Sequence, residues 1–496
     1  MPVEPAVAPF HILSETNALR QVVVHTPGEE MALVSPENAD ELLFDDILFL
    51  EEAREEHAML IRLFQAAVGR KDAVLQVTDL LRETFEATEA RTAFVDGLIE
   101  RMPYRNFEAY ESELKALDTD GLLRFAVTGQ APFPVTALPI PNLLFTRDLS
   151  AVVGEHVLLS HAATAARAPE SVIMGTIYAH HPRFAAVRDR VIVLPEDVSF
   201  EGGDLLVVDE RVVLIGQSER TSLGGVLAVA RELLTRTSIE HVVMVNLPKA
   251  RYCMHLDTVF TFADAETCVV FPPIIEESHD HTFILEAIDG DPSDLRLRPC
   301  ATLRDALEDV TGRSYTFVRC GGEDPVRQRR EQWTDGANLF AIRPGLVVGY
   351  DRNRATYDAL RSEGFHVVDA ESFLDFYGDE GLTLACERYG LYEAMRARGW
   401  DDFSLETWAH DERHTLLVDG RPKAGGERDR LIDLKGVTFR RRLEQTFPDD
   451  PHGCFRRADG RPVWVFLHAP GGAFEDFFYL GPVDFNGVSH GNSPPS

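Results

Sequence analysis

Four short segments of this 496-residue chain concentrate side chains that can hold a cation and move protons. In Pro139-Ile140-Pro141-Asn142-Leu143-Leu144-Phe145-Thr146-Arg147-Asp148, a proline-stiffened loop delivers an amide, an aromatic ring, a guanidinium and a carboxylate. Phe200-Glu201-Gly202-Gly203-Asp204 sets two carboxylates around two glycines, which permit positive φ and the close approach of another group. Met254-His255-Leu256-Asp257-Thr258-Val259-Phe260 reads as a strand that places His255 and Asp257 on one face. The fourth segment, Arg329 to Asn338, is polar and turn-rich. Carboxylates beside a histidine are the parts of a general acid–base site, and the same set can ligate a divalent ion. One central histidine, with no H-E-x-x-H helix and no clustered aspartate loop, argues against a metal centre. Each segment taken singly also has an ordinary reading: a turn, a satisfied buried pair, a surface cap.

The elements that must position these residues read as mixed α/β. Leu19 to His25 is a β-branched run closed by Thr26-Pro27-Gly28, and Glu51 to Gln65 has helical apolar spacing. Between about 77 and 130, apolar residues recur at three and four (Leu80, Leu81, Phe85, then Phe94, Leu98, Ile99), which predicts a helical insertion. Strand signals follow at Leu158–Ser160, Val191–Leu194, Leu205–Val208, Val212–Ile215, Val242–Val245, Val259–Phe262, Cys268–Phe271 and Leu346–Gly349, with a helix over Gly225–Arg236. This alternation favours an α/β domain over a bundle. No strong sequence repeat is visible, but the recurring strand-turn-strand-helix blocks allow a repeated architecture.

Composition narrows the function classes. Forty-nine Lys and Arg against 81 Asp and Glu give a net charge of −32, which disfavours nucleic acid and anionic membrane as partners. There is no apolar run long enough for a membrane span and no leader-like N-terminus, so a cytoplasmic protein is expected. Six scattered cysteines make neither a disulfide framework nor a zinc ribbon; any that matters does so as a thiol. Arg421 to Arg461 reverses the charge trend, with eleven Lys and Arg against seven Asp and Glu, and reads as an appended region with a solvated or docking face.

Taken together and in order, these motifs resemble the arginine deiminase family of guanidino-modifying enzymes. The likeness runs through Ser14-Glu15-Thr16-Asn17, His25-Thr26-Pro27-Gly28-Glu29-Glu30, Leu42-Leu43-Phe44-Asp45-Asp46-Ile47, Asn142 to Asp148 and His181-Pro182-Arg183-Phe184. It continues through Glu201 to Asp204, Gly216 to Ser222, His255 to Thr261, Arg319-Cys320-Gly321-Gly322 and Glu331-Gln332-Trp333. The resemblance implies a five-bladed α/β propeller of the pentein type, with core segments 1–76 and 131–385, the helical insertion at 77–130 and an extension at 386–496. It also implies L-arginine or another guanidino compound as substrate, and no cofactor. A guanidinium stays protonated, so its carbon is attacked only where a site holds the cation and stabilises the tetrahedral species. By the resemblance, Asp148 and Asp257 clamp the guanidinium with paired charge-assisted hydrogen bonds, Glu201 is the site glutamate and His255 shuttles protons. Asn142, Phe145, Arg167, Asp204 and Arg220 would bind the substrate; Arg167 is placed by its Ala166-Arg167-x-x-Glu170 context.

The likeness breaks at the nucleophile. These enzymes carry it on a C-terminal Gly-Arg-Gly-x-Gly-Gly-x-x-Cys-Met loop, which this chain lacks. Cys386 is the candidate by distance from His255, and Cys454 the candidate by loop character. Three readings remain open: hydrolysis to citrulline and ammonia, amidino transfer to an amine, or an arginine-binding relative without a nucleophile. The sequence also leaves the oligomeric state open, a homo-oligomer included.

Overall fold

The computed structural model describes residues 10–370, apart from 69, 103, 104, 136, 279, 280, 289, 366 and 368, together with Leu374 and strand residues 404–405, 464–468 and 477–482. The chain divides into two compact units, 1–61 with 72–359 and 62–71 with 360–496. In the second unit the three short strands pair as one antiparallel sheet.

The first unit is mixed α/β, and one module recurs in it. A hairpin is followed by a helix that crosses back to a third strand lying parallel to the second. Ser150–Val153 and His156–Leu159 form the first hairpin, Ala168–His180 crosses over, and Val191–Ile192 pairs parallel. Leu205–Asp209 and Val212–Gln217 form the second, with helix Leu223–Arg236 returning to His241–Asn246. Phe260–Phe262 and Thr267–Val270 form the third, closed by Thr316–Arg319 after helix Leu303–Thr311. A parallel pair needs such a crossover, because a tight turn joins only antiparallel strands. The middle module is widened by Thr282–Ile288 and Asp291–Cys300 into a five-stranded sheet. Its central strands read Val-Val-Leu-Ile and Val-Val-Met-Val and are buried on both faces, as fits strands covered by helices.

Four α-helices occupy the insertion: Val77–Phe85, Thr88–Arg101, Glu111–Ala116 and Thr119–Thr128. Asp118 caps the last by accepting the Gly121 amide, and Gly129 ends it at φ 72°, where a side chain would be strained. Phe85 and Phe94 lie 5.1 Å apart between ring centres in a core shared with Ile173, Ile177 and Tyr178 of the crossover helix. The insertion is therefore packed onto the first module. No helix among the described residues is long and apolar enough to cross a membrane.

Candidate active site

A tight 3₁₀ turn precedes the first strand of each module, and the candidate residues sit on those turns. Thr146–Asp148 leads into Ser150–Val153, Gly202–Asp204 into Leu205–Asp209, and Leu256–Thr258 into Phe260–Phe262. Asp148 and Asp204 thus end their turns and Asp257 sits in the middle of its own, with Glu201 and His255 on the residue just before their turns. The expectation of a strand through His255 and Asp257 is corrected here: the strand begins only at Phe260. The turn closes because Asp204 Oδ1 accepts the Leu256 amide at 2.9 Å and Thr258 Oγ1 donates to the His255 carbonyl at 2.7 Å. The glycines of Glu201-Gly-Gly-Asp204 adopt no positive φ. Their use is proximity: a Cβ on Gly203 would lie 2.7 Å from Asp148 Oδ1 and 2.8 Å from His255 Nδ1.

The turns bring Asp148, Glu201 and His255 together around Arg167, whose side chain comes from the turn Ala165–Arg167. Arg167 Nη1 donates to Asp148 Oδ2 at 2.8 Å and to Glu201 Oε2 at 3.0 Å, while its Nε donates to both oxygens of Glu170 at 3.0–3.1 Å. His255 Nε2 is 3.0 Å from Glu201 Oε2, and its Nδ1 is 3.6 Å from Asp148 Oδ1. Arg220 Nη1 lies 3.8 Å from Glu201 Oε1. All of these residues are at least nine-tenths buried. Buried charges persist only when paired, and here the pairing is mutual.

Burial opposes ionisation of the histidine, but the charge of Asp148 and the hydrogen bond to Glu201 outweigh it and push His255 up to about 10. His255 is therefore an imidazolium at neutral pH and can give a proton to a leaving amine. Asp148 and Glu201, which burial alone would raise, are held below the usual carboxylate range by His255 and Arg167. Among the described residues no cation is hydrogen-bonded to Asp257, and burial lifts it to about 7 against the pull of His255 and Arg147. Glu170 is likewise lifted to about 7 by burial despite Arg167. With every carboxylate ionised, Asp148, Glu170, Glu201, Asp204 and Asp257 outnumber Arg147, Arg167, Arg220 and protonated His255 by one. Above about pH 7, where Asp257 and Glu170 are ionised, carboxylates are in excess, which suits a cationic substrate. Asp148, Glu201 and His255 also have a metal-ligand arrangement, but the Arg167 guanidinium already supplies the cation between the two carboxylates.

Other expected residues take different places. Asp204, expected to bind substrate, is fully buried, and its oxygens are engaged by Leu256 N and by Ser218 Oγ at 2.6 Å. It orders the His255 turn from behind. Asn142 Nδ2 donates to the Leu42 carbonyl at 2.7 Å, tying the loop around Leu42 to this side of the unit. Phe145 is half exposed, its ring 6.4 Å from that of Phe44. The Arg329–Asn338 segment serves as a support. Gln332 donates to the carbonyls of Tyr252 and Thr258 on either side of His255, and Glu331 caps the helix Arg354–Ser362 through the amides of Ala355 and Thr356. Sequence reading missed Glu170 and Gln332 as site supports. The i,i+3 spacing of Arg167 and Glu170 was the available signal for the first.

Cys386 and Cys454 lie outside the described residues. Burial raises the thiols of all four described cysteines, Cys253 to about 11 and Cys320 to about 12, with Cys268 and Cys300 also raised. None of these four is an activated thiolate.

The arginine deiminase family model matches residues 40–117 and 108–372. The chain is 33% identical over 409 residues to the arginine deiminase of Listeria monocytogenes serotype 4a (strain HCC23), a match covering 77% of this chain and 98% of that one. It is 34% identical over 390 residues to that of Staphylococcus aureus (strain MRSA252), covering 73% and 93%. Among solved structures, an amidinotransferase from Microseira wollei covers 75% of this chain and 95% of its own at 15% identity and a TM-score of 0.42. A dimethylarginine dimethylaminohydrolase covers 71% and 91% at 14% identity and a TM-score of 0.39. By the extent of the family match and the identity to these relatives, the chain belongs to the arginine deiminase family.

Proposed function

We propose that the chain is a cytoplasmic arginine deiminase-like hydrolase that converts L-arginine to L-citrulline and ammonia through an amidino-cysteine intermediate. The observation that carries this reading is the buried cluster of Asp148, Glu201 and His255, with Asp257 close enough to feel their charge, in which carboxylates flank an imidazolium. In this reading Asp148 and Asp257 hold the substrate guanidinium, while Arg167 and Arg220 take its α-carboxylate beside Asn142 and Phe145. A thiolate bonds to the guanidinium carbon, His255 gives its proton to the departing nitrogen, and ammonia leaves. Deprotonated His255 then takes a proton from water, which adds to the same carbon as the carbon–sulfur bond breaks. Glu201 holds the imidazole in register for both transfers. The thrice-repeated module supports closure of the core, 1–76 with 131–385, as a five-bladed propeller carrying the helical insertion 77–130, with 386–496 as an extension.

Cys386 is the proposed nucleophile, with Cys454 as its competitor. The test is turnover of L-arginine by the purified protein and by Cys386→Ala and Cys454→Ala. Loss of citrulline in the Cys386 variant alone supports the assignment, and loss in the Cys454 variant alone moves it. Full activity in both removes the covalent step, and ornithine formed together with an amidinated product, only when an acceptor amine is added, identifies amidino transfer.

The site also sets the pH dependence. A clamp needs Asp257 ionised, and in the free protein this carboxyl titrates at about 7. Below that pH, kcat/KM for arginine is expected to fall roughly tenfold per unit. Above about 10, where His255 loses its proton, it falls again. A profile measured from pH 5 to 11 that is flat through 7 contradicts the assignment of Asp257.

A further inference from the structure

Arg167 lies where a substrate guanidinium is expected. Its Nη1 bridges Asp148 and Glu201 at 2.8 and 3.0 Å, so in the unliganded protein the chain's own guanidinium occupies one wall of the proposed clamp. The other edge is held independently: Nε donates to both Glu170 oxygens, and Nη2 lies 2.9 Å from Oε2. Glu170 is in the first turn of helix Ala168–His180, fixed to the backbone three residues from Arg167. The almost wholly buried guanidinium therefore has an anchor in Glu170 and a carboxylate pair that it occupies through Nη1.

We propose that Arg167 is a specificity-determining residue that makes access to the Asp148 carboxylate conditional on the ligand bringing a carboxylate of its own. This rests on the arginine-hydrolase reading above. A ligand with only a guanidinium must displace Arg167 from Asp148 and leave a buried cation with fewer acceptors, which is costly. A ligand with both groups offers an exchange: its guanidinium takes Asp148 and its carboxylate takes the released Nη1, with Glu170 keeping hold of the Nε and Nη2 edge as the pivot. The fork geometry of arginine allows this, because one edge stays bound while the other changes partner. Selectivity against decarboxylated guanidines then comes from an internal competitor as well as from a missing contact.

The test is calorimetric titration of the full chain with L-arginine and with agmatine, its decarboxylated form, at pH 8, with Cys386→Ala and Cys454→Ala present in every protein compared, so that arginine is not consumed and the wild type below means wild type at Arg167 and Glu170. Removing Arg167 alone strands Glu170, so the variant used is Arg167→Met/Glu170→Gln, which removes the cation and its dedicated anion together. The wild type is expected to prefer arginine by at least about tenfold. In the double variant agmatine is expected to bind at least about tenfold more tightly than to the wild type, while arginine binds more weakly. Agmatine binding that is unchanged or weaker in the variant overturns the proposal, since a residue that only contacted the carboxylate would leave agmatine unaffected. A second measurement uses wild-type protein. Acetate is expected to strengthen agmatine binding, and agmatine to strengthen acetate binding by the same factor, because each draws Arg167 the same way. Independent binding of the two contradicts the proposal even where the double variant does not fold. Wild-type protein that binds neither arginine nor agmatine refutes the hydrolase reading itself, an outcome distinct from failure of the exchange.

Discussion

Replacing His255 with alanine is expected to lower the rate of citrulline formation by at least about 10³-fold, or roughly 4 kcal/mol of transition-state stabilisation, while the fold survives. The size follows from the environment. The imidazole is held between Glu201 and Asp148 and pushed up to about 10, so it is charged before substrate arrives and is the proton donor nearest the paired carboxylates. Without it, the departing nitrogen leaves as an amide anion or draws its proton from solvent, and neither route is fast in a buried site. The substitution also frees Glu201, whose ionisation the histidine favours. His255→Gln keeps a donor near Glu201 without a titrating proton. It should restore stability but not rate, which separates proton transfer from packing. A circular-dichroism melt alongside steady-state kinetics measures both, and an active His255→Ala protein would remove the histidine from the chemistry.

The second large effect is expected at Gly203. Its Cα faces the gap between the Asp148 carboxylate and the His255 ring, and a Cβ there would come within 2.7 and 2.8 Å of them. Neither group can move freely, since Asp148 is bonded to Arg167 and His255 to Glu201. Gly203→Ala should therefore push each group back by several tenths of an ångström, about 1 Å between them, and cost about 10²-fold in kcat/KM. Overpacking of a tight site should also cost about 1–3 kcal/mol of stability. Gly202 is a harsher case: a Cβ would meet the Arg147 carbonyl oxygen at 2.2 Å, so Gly202→Ala should compromise folding itself. Near-normal kinetics for Gly203→Ala would mean that the distance between Asp148 and His255 does not matter.

Local sequence reveals what local forces decide. Leu80, Leu81, Phe85, Phe94 and Leu98 repeat at helical spacing and are all buried, because one helix face meets the core. The β-branched runs of the five-stranded sheet are legible for the same reason. The His255–Asp257 turn is not, because the group that shapes it, Asp204, lies 52 residues away and takes the Leu256 amide. The outer strand Asp291–Cys300 also escapes detection. It is mostly exposed, and its partnership shows in Arg296 and Arg298 gripping Glu286 across the hairpin. At the site, residue types were readable but not their partners. That Arg167 rests on Asp148 and Glu201, and that Gln332 braces the backbone around His255, follows only from the turns converging in space.

The central claim is that this cluster acts on the guanidinium carbon of arginine, and the most direct measurement is product stoichiometry from purified full-length protein given L-arginine. Citrulline and ammonia should appear in equal amounts, with both lost in His255→Ala. Folded wild-type protein that releases neither, or a His255→Ala variant that forms citrulline at the wild-type rate, would contradict it.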